Sequence, residues 1–151
     1  MTVYADLGAW TLAALRTAPR VVNLVVGGAT RILEAGEITL AVLSTAQSER
    51  HARGENNRVL EIMVQDLGEE NMVTRCAVHI HDRYGYANIR TAREEVIKAL
   101  VNQPAALARD AFVIAVQYES RSGHTIAEKL DADMEYIIFS GALVAERDSY
   151  I

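Results

Sequence analysis

Two neighbouring stretches of alternating apolar residues constrain the fold of this 151-residue chain more than any other feature. In residues 58–66 and again in residues 72–82, alternate positions are apolar, as in β-strands with one buried face. The residues on that face are Leu60, Ile62 and Val64 in the first stretch and Cys76, Val78 and Ile80 in the second. Residues 67–71 contain Gly68 and acidic side chains and predict a short turn. The two strands are therefore expected to form an antiparallel hairpin.

An amphipathic helix is predicted after the hairpin, over residues 88–102, with Asn88 as its N-cap. The apolar positions repeat at helical spacing, and charged residues cover the opposite side. The apolar stripe consists of Ile89, Ala92, Val96, Ile97, Leu100 and Val101. Pro104 closes the helix, because a residue that precedes proline avoids the helical conformation.

Less regular patterns flank this strand–helix centre. On the N-terminal side they predict a helix from Thr2 to about Thr17 that ends before Pro19, a short helix at 21–26, a strand at 30–33, and a helix at 38–52 that ends at Gly54. On the C-terminal side, Ala111 to Glu119 and Asp133 to Leu143 predict two more strands. The polar segment 120–132 between them is either a loop or the twisted ends of both strands.

This order of elements predicts an α+β fold with a single domain over residues 1–151. We expect an antiparallel β-sheet of about four main strands, with two or three helices packed mainly on one face. Strands 58–66 and 111–119 carry apolar side chains on both faces, so the second face needs a cover. Either another subunit covers it, which favours oligomerisation, or segment 21–33 folds over it.

Composition excludes several classes of function. The formal net charge of −5 argues against non-specific binding to a nucleic-acid backbone. A single cysteine excludes an intrachain disulfide and a four-cysteine zinc site. No run approaches about 18 uninterrupted apolar residues, and the N-terminus lacks the pattern of a signal peptide, so we expect neither a membrane partner nor export.

The strongest candidates for chemistry are His79 and His81, which share one face of the second hairpin strand. A metal site there would need a third ligand, such as His51 or His124. A metal-dependent enzyme is the alternative that this pair leaves open. Cys76 points to the opposite face and predicts a buried, unreactive thiol.

Other motifs give no basis for catalysis or cofactor binding. The chain has no GxxxxGK[ST] or GxGxxG phosphate-binding motif. Arg83, Arg90 and Arg93 form a modest basic cluster, for which a solvated helix face is the simplest interpretation. We therefore assign no catalytic, cofactor-binding or metal-binding residue and no cofactor, and we expect a protein that is not an enzyme.

The segment that joins the hairpin to the helix, Asp82-Arg83-Tyr84-Gly85-Tyr86-x-Asn88-Ile89-Arg90, resembles the tail terminator, or tail completion, proteins of long-tailed bacteriophages. The resemblance extends over about residues 55–102. Gly85 permits an abrupt turn, Tyr84 or Tyr86 can pack across it, and Ile89 begins the buried stripe.

The resemblance implies a structural virion protein located in the neck region of the tail and assembled in the host cytoplasm. Members of that family form a ring, expected to be a hexamer, on the head-proximal end of the tail tube. The ring stops tube polymerisation and presents a surface for head–tail joining. The implied partners are further copies of the chain, the tail tube protein and the head completion or connector proteins, and DNA passes through the lumen without specific binding. A head–tail connector or adaptor protein of the neck is the second interpretation.

Two polar segments are expected to project and to contact ring neighbours or the tube. The interface residues that we predict are Gly68, Glu69, Glu70, Asn71, Arg121, Ser122 and His124. Reversing the charges of Glu69 and Glu70 should weaken assembly while the monomer stays folded.

Overall fold

The computed structural model describes residues 3–36, 38–83, 85–108, 111–113 and 115–145. The helices are α1 (Leu7–Arg16), α2 (Pro19–Val22), α3 (Leu40–Arg53) and α4 (Ala87–Leu100), with short 3-10 helices at Gly28–Arg31 and Glu128–Leu130. The strands are β1 (Ile32–Glu34), β2 (Glu61–Glu70), β3 (Val73–Asp82), β4 (Ala105–Leu107), β5 (Ala111–Val113), β6 (Gln117–Arg121), β7 (Thr125–Ala127) and β8 (Ala132–Ala145).

The strands form one sheet in which the last strand, β8, is central. The order is β1-β2-β3-β8-β5-β4, and β6 and β7 also pair with β8. One edge of β8 pairs with the whole of β3, and the opposite edge is shared along its length by β7, β6 and β5. β1 is parallel to β2, and the other strand pairs are antiparallel. The sheet confirms the predicted α+β fold.

Helices α1 and α4 pack against one face of the sheet and against each other, as predicted. Their apolar stripes, together with β2, β3 and β8, enclose the main hydrophobic core. A smaller buried cluster lies beneath α3 and consists of Val26, Leu43, Ala46, Leu60 and Ala132. Among the described residues, no helix has the length and apolar character needed to cross a bilayer.

Segment 21–33 covers only part of the second face of the sheet. Val21, Val25 and Ile32 are buried in the main core with α1 and α4. The face opposite α1 and α4, which we call the open face, carries Met63 and Tyr136, and the Tyr136 side chain is 36% exposed. Arg31 of this segment reaches Glu61 on the open face at 3.5 Å, so the cover within the chain extends to one end of that face only, and cover by another subunit stays a prediction.

The helix boundaries show where side-chain capping sets the start of each helix. α1 begins at Leu7, not near Thr2, because the Asp6 carboxylate accepts a hydrogen bond from Ala9 N at 2.8 Å. Thr2 lies outside the described residues. The predicted stop near Thr17 is confirmed, and Pro19 then occupies the first turn of α2, which replaces the helix predicted at 21–26.

α3 follows the prediction closely. It is capped by Thr39 and ends at Gly54, which has the left-handed conformation that favours glycine.

The predicted hairpin is confirmed, but its turn is shorter than expected. β2 continues to Glu70, and the turn consists of Asn71 and Met72, both with positive φ values of 53° and 63°. A β-bulge at Leu67 shifts the register between Asp66 and Gly68. Gly68 and the acidic residues, which predict a turn at 67–71, lie instead in the exposed end of β2.

The predicted strand at 111–119 is wrong as a continuous element. It is divided into β5 and β6, which pair with different parts of β8. Backbone hydrogen bonds of Val116 with Asn102 and Gln103 hold the connection against the end of α4. Segment 120–132 is largely ordered as the end of β6, β7 and a 3-10 helix, and β4 was not predicted.

Candidate interaction surface

The corner between β3 and α4, which carries the family-like motif, is fixed by the buried carboxylate of Asp82. Oδ1 accepts hydrogen bonds from Arg50 Nη1 and from the backbone N of Arg83, each at 2.6 Å. Oδ2 accepts from the Asn88 amide at 3.2 Å. Because Arg50 belongs to α3 and is 1% exposed, this network binds α3 to the start of α4.

Asn88 does not cap α4 through its side chain. Tyr86 occupies the N-cap position without a side-chain hydrogen bond, and the Asn88 amide bridges Asp82 and the carbonyl of Asn56. Tyr86 packs across the corner as predicted: its ring stacks on His124, with 4.7 Å between ring centroids. The Arg90 guanidinium also lies over the Tyr86 ring, 5.7 Å from its centroid. Tyr84 lies outside the described residues.

The three arginines of the predicted basic cluster do not form a plain solvated face. Arg83 donates to Ser44 and Gln47 of α3 and to the carbonyls of Leu130 and Asp131. Arg83 therefore ties the corner to α3 and to the 3-10 helix through neutral acceptors.

Arg93 extends the same internal network to β8. It bonds Glu135 at 3.1 Å, and Arg121 approaches the same buried carboxylate at 3.2 Å. The motif and its arginines thus act as structural ties between elements.

The histidine pair lies on the open face, with parallel rings 6.4 Å apart. Burial lowers the pKa of His79, and burial together with the charge of His79 lowers the pKa of His81 to about 4, so both rings are neutral at pH 7. His51 is exposed on α3, and His124 pairs with Asp133 at 2.8 Å. Within the described part of the chain, no three His, Cys, Asp or Glu side chains are grouped as a metal site requires.

Glu61 is the cross-strand neighbour of His81 and is fully buried. Burial raises its pKa to about 7, against the opposing effect of the Arg31 guanidinium at 3.5 Å. Arg31 also bonds Glu49 at 2.7 Å, so its charge is shared between two carboxylates.

Cys76 is buried in the main core as predicted, with Sγ 3.2 Å from Thr11 Oγ1. Burial raises the pKa of the thiol to about 12, so the nucleophilic thiolate is not formed near neutral pH.

The predicted interface residues fall into two groups that the fold keeps apart. Gly68, Glu69 and Glu70 are exposed at the end of β2, next to Asn71 in the turn. Arg121, Ser122 and His124 lie beyond β8 on the other side of the sheet. Each member of the second group already bonds within the chain, to Glu135, Tyr136 and Asp133 respectively.

Sequence reasoning missed three residues of these surfaces. Leu67 and Met72 are 44% and 55% exposed beside the acidic residues of the hairpin. Arg50 was missed as a buried charge, although it follows Leu43 and Ala46 at helical spacing on one side of α3. That position was the signal that its side chain enters the core.

The fold is similar to that of a known virion chain. A solved structure described as the virion of a native gene transfer agent particle contains a chain that superimposes with a TM-score of 0.63 at 18% sequence identity. The match covers 91% of this chain and 94% of the other. No protein-family model and no curated protein matches the sequence. At this identity the likeness shows a shared fold.

Proposed function

We propose that this chain is a structural subunit of a virion, and that it forms a ring on the head-proximal end of a phage tail tube. The ring, a hexamer in the proposal, ends tube polymerisation and presents the surface to which head completion or connector proteins bind. No step of this role requires catalysis.

The observation that carries the proposal is the shared fold with a chain of a virion over nearly the full length of both proteins. The resemblance of the 82–90 corner to the tail terminator family narrows the role within a virion. In the structure this corner determines how α3, α4 and the hairpin are held together. A subunit that must keep one shape in a ring needs such a rigid frame.

Charge is consistent with the proposed passage of DNA through the lumen. The net charge of −5 disfavours retention of a polyanion. Many charged side chains also form ion pairs within the chain, such as Arg50 with Asp82 and Arg93 with Glu135.

The test is electron microscopy of a lysate made with a phage that carries a nonsense mutation in this gene, beside the same phage grown in a suppressor host. We expect tails of excessive, irregular length and unattached full heads only in the non-suppressing host. Tails of normal length beside separate or leaking heads would overturn the terminator role in favour of a connector. Intact, infectious particles would overturn both roles.

A further inference from the structure

The end of the β2–β3 hairpin exposes acidic and apolar side chains next to one another. We call residues 66–72 the hairpin tip; every one of them is exposed. The tip carries three carboxylates, and within the described part of the chain Glu69 and Glu70 make no ion pair. Leu67 and Met72 expose apolar side chains beside them. A surface of this kind fits a partner that is apolar at its centre and basic at its rim.

The helical layer contains a groove with those properties. We call it the α2–α4 groove; it is a cleft of about 480 Å³. Its lining consists of Ala18, Pro19, Arg20, Val21, Glu95, Lys98 and Ala99. Most of the lining is apolar, while Arg20 and Lys98 are exposed and make the rim basic. Lys98 approaches Glu95 at 3.6 Å, and among the described residues Arg20 has no ion-pair partner.

The tip and the groove of one molecule lie at different ends of α1. Gly8, near the start of α1, donates its backbone N–H to Asp66 of the tip at 3.0 Å. α2 follows the other end of α1, and the ten residues of that helix span about 15 Å. A contact between tip and groove must therefore join two molecules.

We propose that the hairpin tip of one copy docks in the α2–α4 groove of the next copy. Leu67 and Met72 pack on the apolar wall, and Glu69 and Glu70 face Arg20 and Lys98. The inference rests on the proposed ring and names its subunit contact. Because the two patches differ, the contact is head-to-tail, and such contacts close into rings when the rotation between copies allows it.

A charge-swap experiment tests the contact in purified protein. The variants Glu69→Lys/Glu70→Lys and Arg20→Glu/Lys98→Glu each place like charges across it, and we expect each alone to self-associate at least about tenfold more weakly than wild type. A 1:1 mixture of the two variants, or the quadruple variant, should return to within about threefold of wild type, because opposite charges then meet again. Sedimentation velocity measures association, and circular dichroism checks that each variant is folded.

The matched control is Arg53→Glu, which reverses an exposed charge on α3, outside both patches and outside segment 120–130, and should leave association unchanged. Swap variants that fail to restore association, or single-patch variants that associate like wild type, would overturn the proposed contact.

A crosslinking experiment detects the contact even when association is weak. Met72→Cys/Ala99→Cys places one thiol on the tip and one in the groove, and the native Cys76 is buried. Mild oxidation should give a ladder of multimers that ends in a closed species, whereas either single variant should stop at dimers. A double variant that stays monomeric or stops at dimers would overturn the inference.

The proposed tail role and the proposed tip–groove contact can be disproved independently of each other. Overlong tails in the nonsense lysate without tip–groove crosslinks would mean that the ring uses another subunit contact. Tip–groove multimers together with normal, infectious particles in the lysate would remove the tail role and leave the contact standing.

Discussion

At the scale of single residues, the buried charges are the groups on which the fold depends most. Asp82 and Arg50 are both almost completely removed from solvent and contact each other at 2.6 Å. A buried ion pair adds little net stability compared with an apolar pair, but the loss of one partner leaves a charge in the core without compensation. The pair therefore makes the corner sensitive to substitution.

We predict that Asp82→Asn lowers the free energy of unfolding by about 3–5 kcal/mol, because it replaces the buried carboxylate that bonds the Arg50 guanidinium at 2.6 Å with a neutral amide. Urea denaturation measures the loss. Glu128→Gln, an exposed control, should change stability by less than about 0.5 kcal/mol. The double variant Arg50→Met/Asp82→Leu should be less destabilised than Asp82→Asn, and an equal or larger loss would contradict this account.

Two buried titratable groups on the open face respond to pH in opposite directions. The folded-state pKa of Glu61, about 7, lies above its ordinary value of 4.5. The stability that protonated Glu61 contributes to the folded state is therefore lost as pH rises through that interval. The folded-state pKa of His81, about 4, lies below its ordinary value of 6.5. The stability that neutral His81 contributes to the folded state is therefore lost as pH falls through that interval. Arg31 and His79 are the charged or titratable groups next to them.

We predict that Glu61→Gln makes the protein more stable at pH 7.5, by up to about 3 kcal/mol, because the buried carboxylate no longer has to ionise. At pH 4.5 the variant and the wild type should differ little, since Glu61 is then protonated in the folded state. Denaturation curves across this range measure the difference in the free energy of unfolding. The effect of His81 titration is present in both proteins and does not enter the difference. A difference that does not change with pH would contradict the raised pKa.

At the scale of elements, the hairpin turn carries backbone strain in an unusual place. Two-residue hairpin turns favour Asn-Gly because both residues need positive φ, yet this turn is Asn71-Met72. A side chain beyond Cβ in that conformation costs roughly 1 kcal/mol. The exposed side chain of Met72 is the one that packs on the groove in the proposed tip–groove contact.

We predict that Met72→Gly raises the free energy of unfolding of the monomer by about 0.5–1 kcal/mol, because glycine adopts the positive φ of this turn without backbone strain. The same variant should associate more weakly, because an apolar contact of the tip is lost. Urea denaturation at low protein concentration and sedimentation velocity separate the two effects. A variant that is less stable as a monomer would contradict the strained turn.

At the scale of the whole molecule, β8 links almost every part of the sheet. It pairs with β3 along ten residues and with three short strands on its other edge. Since β8 comes last in the chain, the sheet is complete only when the C-terminal part of the chain has joined it. Most of its pairings join residues far apart in sequence, which predicts slow folding for a chain of this size.

We predict that backbone amides of β3 and of the middle of β8 exchange with deuterium only through global unfolding, whereas β6 and β7 exchange through local opening. The reason is that β3 and β8 are bonded on both edges beneath α1 and α4, while β6 is exposed throughout. Hydrogen-exchange mass spectrometry resolves these segments. Protection of β6 equal to that of β3 in the monomer would contradict this hierarchy.

The sequence by itself determined the elements whose patterns are local and uninterrupted. Local periodicity or backbone conformation predicts the apolar stripe from Ile89 to Leu100, the alternation on β3 and the helix stop at Gly54. The α+β fold followed from these elements. The burial of Cys76 could be predicted for the same reason.

Only the tertiary structure decided what depends on distant partners. The pairing of Arg50 with Asp82, the role of Asn88 and the division of 111–119 between β5 and β6 are set by residues many positions away. The full length of β2 could not be predicted, because its exposed end carries Gly68 and acidic residues, which favour turns unless pairing with β3 holds them extended. The hairpin tip and the α2–α4 groove were unreadable from the sequence for the same physical reason: periodicity reports which side of an element is buried, but packing decides which exposed side chains share a surface.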